Sequence, residues 1–89
     1  MNKLEEILVI LQEEAAEVIQ AASKCRRFGF DNLIPNSSQT NSGRLEAEIG
    51  DLCAMIDLLS DLGHICPAKI ERKKREKIEK LKFYSNIFN

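Results

Sequence analysis

The chain has 89 residues, of which 44% are apolar, with 13 basic side chains, 14 acidic ones and a formal net charge of −1. This size fits one small domain covering residues 1–89, and the apolar share excludes wholesale disorder. Three cysteines, Cys25, Cys53 and Cys66, with no CxxC and a single histidine, exclude a disulfide scaffold and a thiol–imidazole zinc site.

The charge is unevenly placed. Residues 1–66 carry eleven acids and five bases, whereas residues 67–89 carry eight bases and three acids. An acidic body with a basic tail suits a metal–polyphosphate ligand or pairing with a second copy. The opening Met1–Glu6 lacks a signal peptide's apolar stretch, and no apolar run reaches bilayer length, so the expectation is a cytoplasmic protein without a membrane partner.

Three helices are predicted, with no strand pattern between them. The first runs from about Asn2, its cap, to Arg27, with Gly29 as its stop. Leu4, Leu8, Leu11, Ala15, Val18 and Ala22 form its core stripe, and Ile7, Ile10, Glu14, Glu17, Ala21 and Lys24 lie beside it. Residues 29–43 read as a mobile polar connection. The second helix runs from about Gly43 to Leu62, capped by Asn41 or Ser42. Leu45, Ile49, Leu52, Ile56 and Leu59 form its core stripe, with Glu48, Asp51, Met55, Leu58 and Leu62 alongside. The third runs from Pro67 to about Asn86 with a sparse apolar edge of Ile70, Ile78, Leu81 and Phe88. The fold class is all-α, a bundle of three main helices per chain.

Glu14 and Glu17 are three residues apart, as are Glu48 and Asp51, so each pair shares one helical face. By spacing alone, ExxE is common on solvated helices. Here both pairs are embedded in apolar sequence, and packing the two stripes together would converge four carboxylates. Like charges gathered in a partly dry place require protonation or a cation. Hard oxygen donors suit Mg²⁺, with Mn²⁺ as a substitute, between protein and phosphate. Gly50, costly inside a helix, could admit another backbone or a ligand.

Glu13-Glu14-Ala15-Ala16-Glu17 followed by Glu48-Ile49-Gly50-Asp51 resembles the EExxE…ExxD signature of MazG-like nucleotide pyrophosphohydrolases of the all-α NTP pyrophosphatase superfamily. Leu11-Gln12 before the first motif, Lys24-Cys25-Arg26-Arg27-Phe28-Gly29 after it and Leu52 after the second extend the likeness, which covers residues 4–62 and is closest to the short phage and bacterial type. The resemblance implies hydrolysis of NTPs or dNTPs between the α and β phosphates, giving a monophosphate and pyrophosphate. It implies Mg²⁺ held by Glu14, Glu17, Glu48 and Asp51, with Glu13 as a supporting residue. It also implies a homodimer or dimer of dimers whose partner chain completes the site. The long polar loop departs from the family pattern, so no base-contacting residue is carried over.

Lys24, two turns beyond Glu17, is a candidate for substrate phosphates, as are Lys73 and Lys77 on the basic third helix. Their plain alternatives are a helix C-terminal cation and a solvated face paired to Glu71, Glu76 and Glu79. Those interleaved acids and the acidic body argue against nucleic-acid binding. With no nucleophile–base pair and no phosphate-cradling glycine loop, metal-assisted water attack is the catalytic chemistry the residues support, with Glu14 or Glu17 as the base. The alternatives are a non-catalytic helical oligomerisation module and a relative specific for dUTP or dCTP.

Overall fold

The computed structural model describes residues 1–89 and contains three helices: α1 (Lys3–Phe28), α2 (Asn41–Asp61) and α3 (Pro67–Tyr84). Each boundary has a local cause. At α1, the Asn2 side chain accepts from Glu5 N–H at 2.8 Å while Glu5 accepts from Asn2 N–H at 3.2 Å. This reciprocal pair satisfies donors that the first helical turn leaves open. At the other end, Gly29 takes φ 93° and donates its N–H to the Cys25 carbonyl at 2.9 Å, a conformation that disfavours a side chain.

Residues 29–40 are more structured than their polar composition predicts. An antiparallel bridge joins Leu33 to Thr40. Ile34 N–H donates to Gln39 O, Asn41 N–H to Asn32 O and Ser42 N–H to Phe30 O, at 2.9–3.0 Å. The cap of α2 is Thr40, whose Oγ1 accepts from Gly43 N–H at 3.0 Å, not Asn41 or Ser42. The reason is that Asn41 turns inward: it is buried and donates through Nδ2 to the Gly29 carbonyl at 2.9 Å. It thereby ties the end of α1 to the start of α2.

α1 and α2 form an antiparallel hairpin. Ile7 and Ile10 lie across from Leu58 and Leu62, Glu14 lies across from Glu48 and Asp51, and Gly29 meets Asn41. The buried apolar residues are Ile7, Ala21 and Cys25 of α1 and Leu59 of α2. Both α1 stripes contribute: Leu4, Leu11, Ala15 and Val18 of the leucine stripe are half-buried and its Leu8 is 40% exposed, while the deepest positions, Ile7 and Ala21, lie on the stripe that also carries Glu14. Small Ala21 and Cys25 let the helices approach near the loop, so the carboxylates occupy the helix–helix seam itself.

α3 starts with Pro67 at its first turn, where a missing N–H costs nothing, and ends two residues before the predicted Asn86. It buries no residue and carries its own ion pairs, including Lys74–Glu71 at 3.0 Å and Lys82–Glu79 at 2.8 Å. The radius of gyration is 15.9 Å, against about 12 Å for a compact domain of this length, because α3 projects away from the hairpin. No helix is long and apolar enough to cross a membrane.

Candidate metal centre

The acidic residues sit where the two long helices run alongside each other. Glu14 is half-buried in the middle of α1, and Glu48 and Asp51 occupy successive turns of α2. One carboxylate oxygen from each of these three residues lies within 4.8 Å of the other two. Glu48 is well enclosed, its side chain 13% exposed. Three negative groups therefore converge from two helices, and the one cation paired to any of them is Arg44, at Glu48.

The electrostatics register this crowding at Glu14. Its carboxyl is held above the ordinary glutamate value by burial, and then by the charges of Asp51, Glu48, Glu17 and Glu13. Each influence disfavours the ionised form.

Glu17 occupies a different position. Its Oε2 lies 3.5 Å from an Arg44 guanidinium nitrogen, and the Arg44 Nε donates to Glu48 Oε1 at 2.9 Å. Arg44 thus bridges a carboxylate of α1 and one of α2, leaving Glu17 at the edge of the triad. Sequence reasoning passed over Arg44. The available signal was its position four residues before Glu48, a spacing that places both side chains on one helical face.

The predicted lysines lie apart from the triad. Lys24 is half-buried a turn before the end of α1 and forms no ion pair with an acidic residue. Lys73 binds Glu76 of its own helix at 3.0 Å, and with Lys77 it lines an open groove on α3. Neither lysine pairs with a triad carboxylate within the chain. Around Gly50 there is open space, with nothing within 4 Å of an added Cβ, so no part of this chain uses the approach that glycine permits.

The donor set fits a hard cation. Oxygens on opposite sides of one Mg²⁺ are about 4.2 Å apart, twice a bond length of roughly 2.1 Å. The observed limit of 4.8 Å comes within a small side-chain adjustment of that. Arg44, by occupying one oxygen of Glu48, fixes that carboxylate's orientation as an outer partner does at established metal sites. Compared with family models, with curated proteins and with solved structures, the chain matches none.

Proposed function

We propose that this protein is a Mg²⁺-dependent nucleoside triphosphate pyrophosphohydrolase that works as a homo-oligomeric helical bundle. The observation that carries the reading is the convergence of Glu14, Glu48 and Asp51 oxygens within 4.8 Å from two helices. The EExxE…ExxD resemblance supplies the substrate class. The reaction adds water at the α-phosphorus and breaks the α–β anhydride, releasing a nucleoside monophosphate and pyrophosphate.

Bound Mg²⁺ supplies charge neutralisation for the polyphosphate and acidifies a coordinated water. Glu14, Glu48 and Asp51 would hold it. Glu17 stands outside that triad and is therefore the carboxylate left to orient the attacking water and accept its proton. Arg44 lies between Glu17 and Glu48, where it can exchange its grip on Glu17 for a phosphate oxygen.

The test is pyrophosphate release from a panel of ribo- and deoxyribonucleoside triphosphates, with Mg²⁺, with Mn²⁺ and with EDTA. Metal-dependent turnover that disappears in Glu48→Ala, with helicity retained, supports the proposal. Wild-type protein that releases no pyrophosphate from any nucleotide sinks it. The second reading is a non-catalytic helical interaction module. The small core favours it: only five of 89 residues are buried, none of them a fully enclosed large side chain. A folded wild-type protein that self-associates but is inert toward every nucleotide would establish that reading.

A further inference from the structure

At the loop end of the hairpin, Phe28, Asn32, Leu33, Pro35 and Asn41 line a cavity of about 280 Å³. Its walls are apolar apart from two carboxamides, and both of these are locked. Asn41 Nδ2 donates to the Gly29 carbonyl at 2.9 Å, and Asn32 Nδ2 donates to the Phe28 carbonyl. Turning either amide over would set oxygen against oxygen. Neither Oδ1 accepts a hydrogen bond from the chain. Asn41 is only 4% exposed, yet no enclosed side-chain polar atom lacks a partner. Its Oδ1 therefore opens outward, and this cavity is the one opening that Asn41 lines.

The cavity continues the acidic seam. Asn41, Arg44, Glu48 and Asp51 follow one stripe of α2, and Phe28, Lys24, Glu17 and Glu14 one stripe of α1, at spacings of three, four or seven residues. From the loop inward, an aromatic-walled pocket comes first, then the cations Lys24 and Arg44, then the carboxylate triad. A nucleoside triphosphate on Mg²⁺ has the same order: base, phosphates, metal. Seven residues separate Asn41 from Glu48, about 10.5 Å of helix, within the reach of an extended nucleotide.

We infer, resting on the hydrolytic reading for the rest of the nucleotide, that this pocket takes the substrate's base and selects one with an exocyclic amino group. The base stacks on the Phe28 ring, whose other face Arg27 covers with its guanidinium carbon 4.9 Å from the centroid. The fixed Oδ1 atoms of Asn32 and Asn41 accept from the amino group of cytosine or adenine. Uracil and hypoxanthine place a carbonyl oxygen there instead, against two oxygens that cannot turn. The pocket belongs to the polar loop that departs from the EExxE…ExxD pattern, so the selection is this chain's own.

The test reads binding apart from turnover. The chain has no tryptophan and Phe28 is 54% exposed, so Phe28→Trp places one fluorophore at the pocket without touching the core. That variant is titrated, with Mg²⁺ present, against the monophosphates of cytidine, uridine, adenosine and inosine, which have no anhydride to cleave. The cytidine and adenosine nucleotides should quench saturably, each at least about tenfold tighter than its keto counterpart. Adding Asn32→Leu should lower that preference. Calorimetric titration of wild type with the same four nucleotides should give the same order with no substitution at all. Equal affinity for all four, a preference for the keto bases, or no binding by either method overturns the proposal, as does a preference unchanged by Asn32→Leu. Pyrophosphate release from the cytidine and adenosine triphosphates by wild type is measured alongside. Turnover without base-selective binding overturns the pocket and leaves the hydrolase standing; amino-selective binding by an inert protein overturns the hydrolase and leaves the pocket.

Discussion

Arg44 donates from Nε to Oε1 of Glu48 at 2.9 Å, one helical turn away, while a terminal nitrogen of the same guanidinium lies 3.5 Å from Oε2 of Glu17 on the opposite helix. It is the one cation paired to the acidic seam, and it competes there with any metal for the charge of Glu48. Arg44→Gln should therefore tighten Mg²⁺ binding by about two- to tenfold, because a positive charge leaves the neighbourhood. It should also slow pyrophosphate release at least tenfold, because Glu17 and Glu48 lose their orienting partner. Isothermal titration with Mg²⁺ and saturation kinetics separate the two effects. Weaker Mg²⁺ binding together with unchanged turnover would show that Arg44 has only a structural role.

Glu14 gives the seam a pH dependence whose sign can be worked out. Its carboxyl is held above the ordinary value in the folded chain, so the folded state binds its proton more tightly than the unfolded state does. The associated stability is fully present below the unfolded value and is lost as pH rises through the folded one. Above the folded value Glu14 is ionised and opposes folding. Glu14→Gln should consequently raise the melting temperature of metal-free protein by a few degrees at pH 7 and by much less at pH 4. Mg²⁺ should raise the melting temperature of wild type but not of the variant. A Glu14→Gln protein that melts below wild type at pH 7 without metal would contradict this account.

Much of the architecture is legible in the residues themselves, for identifiable reasons. Asn2 with Glu5, Gly29 and Pro67 are strong local signals, because cap and stop chemistry acts within four residues. The gathering of Glu14, Glu48 and Asp51 follows from two i, i+3 pairs set in apolar helices. The α2 cap was ambiguous because Thr40, Asn41 and Ser42 are all competent; the inward turn of Asn41 toward Gly29 is a tertiary contact that decides among them. Arg44 has no mark of a phosphate ligand in the sequence, because its partners, Glu17 and Glu48, are carboxylates and one of them lies on the other helix. In α1 the leucine stripe is half-buried at Leu4 and Leu11 but exposed at Leu8, and size alone does not mark the deepest positions. Close approach near the loop depends instead on the small residues Ala21 and Cys25. The place of α3 could not be read from so sparse an apolar edge.

Asn41 should matter more to stability than its polar character suggests. Its amide is buried and reaches the Gly29 carbonyl at 2.9 Å. Asn41→Ala removes that donor, leaves an acceptor without its partner and opens a small void, which should cost about 1–3 kcal/mol. Thr40→Ala, which removes only the Oγ1 cap of α2, should cost about 1 kcal/mol. Urea unfolding followed by helicity compares the two. An Asn41→Ala loss smaller than that of Thr40→Ala would deny the inter-helix tie its importance.

Gly50 lies between Glu48 and Asp51 in the interior of α2, with nothing within 4 Å of where a Cβ would stand. Nothing inside the chain requires glycine there, so Gly50→Ala should stabilise the fold by about 0.5–1 kcal/mol through reduced backbone freedom in the unfolded state. The added methyl group points into open space and leaves the flanking carboxylates where they are. Urea unfolding should therefore move to higher denaturant while pyrophosphate release and sedimentation stay as in wild type. A stabilised variant that loses turnover would place a substrate against the α2 backbone at Gly50, and one that loses self-association would place a second chain there. Either result would mean that the glycine is kept for a contact lying outside the single chain.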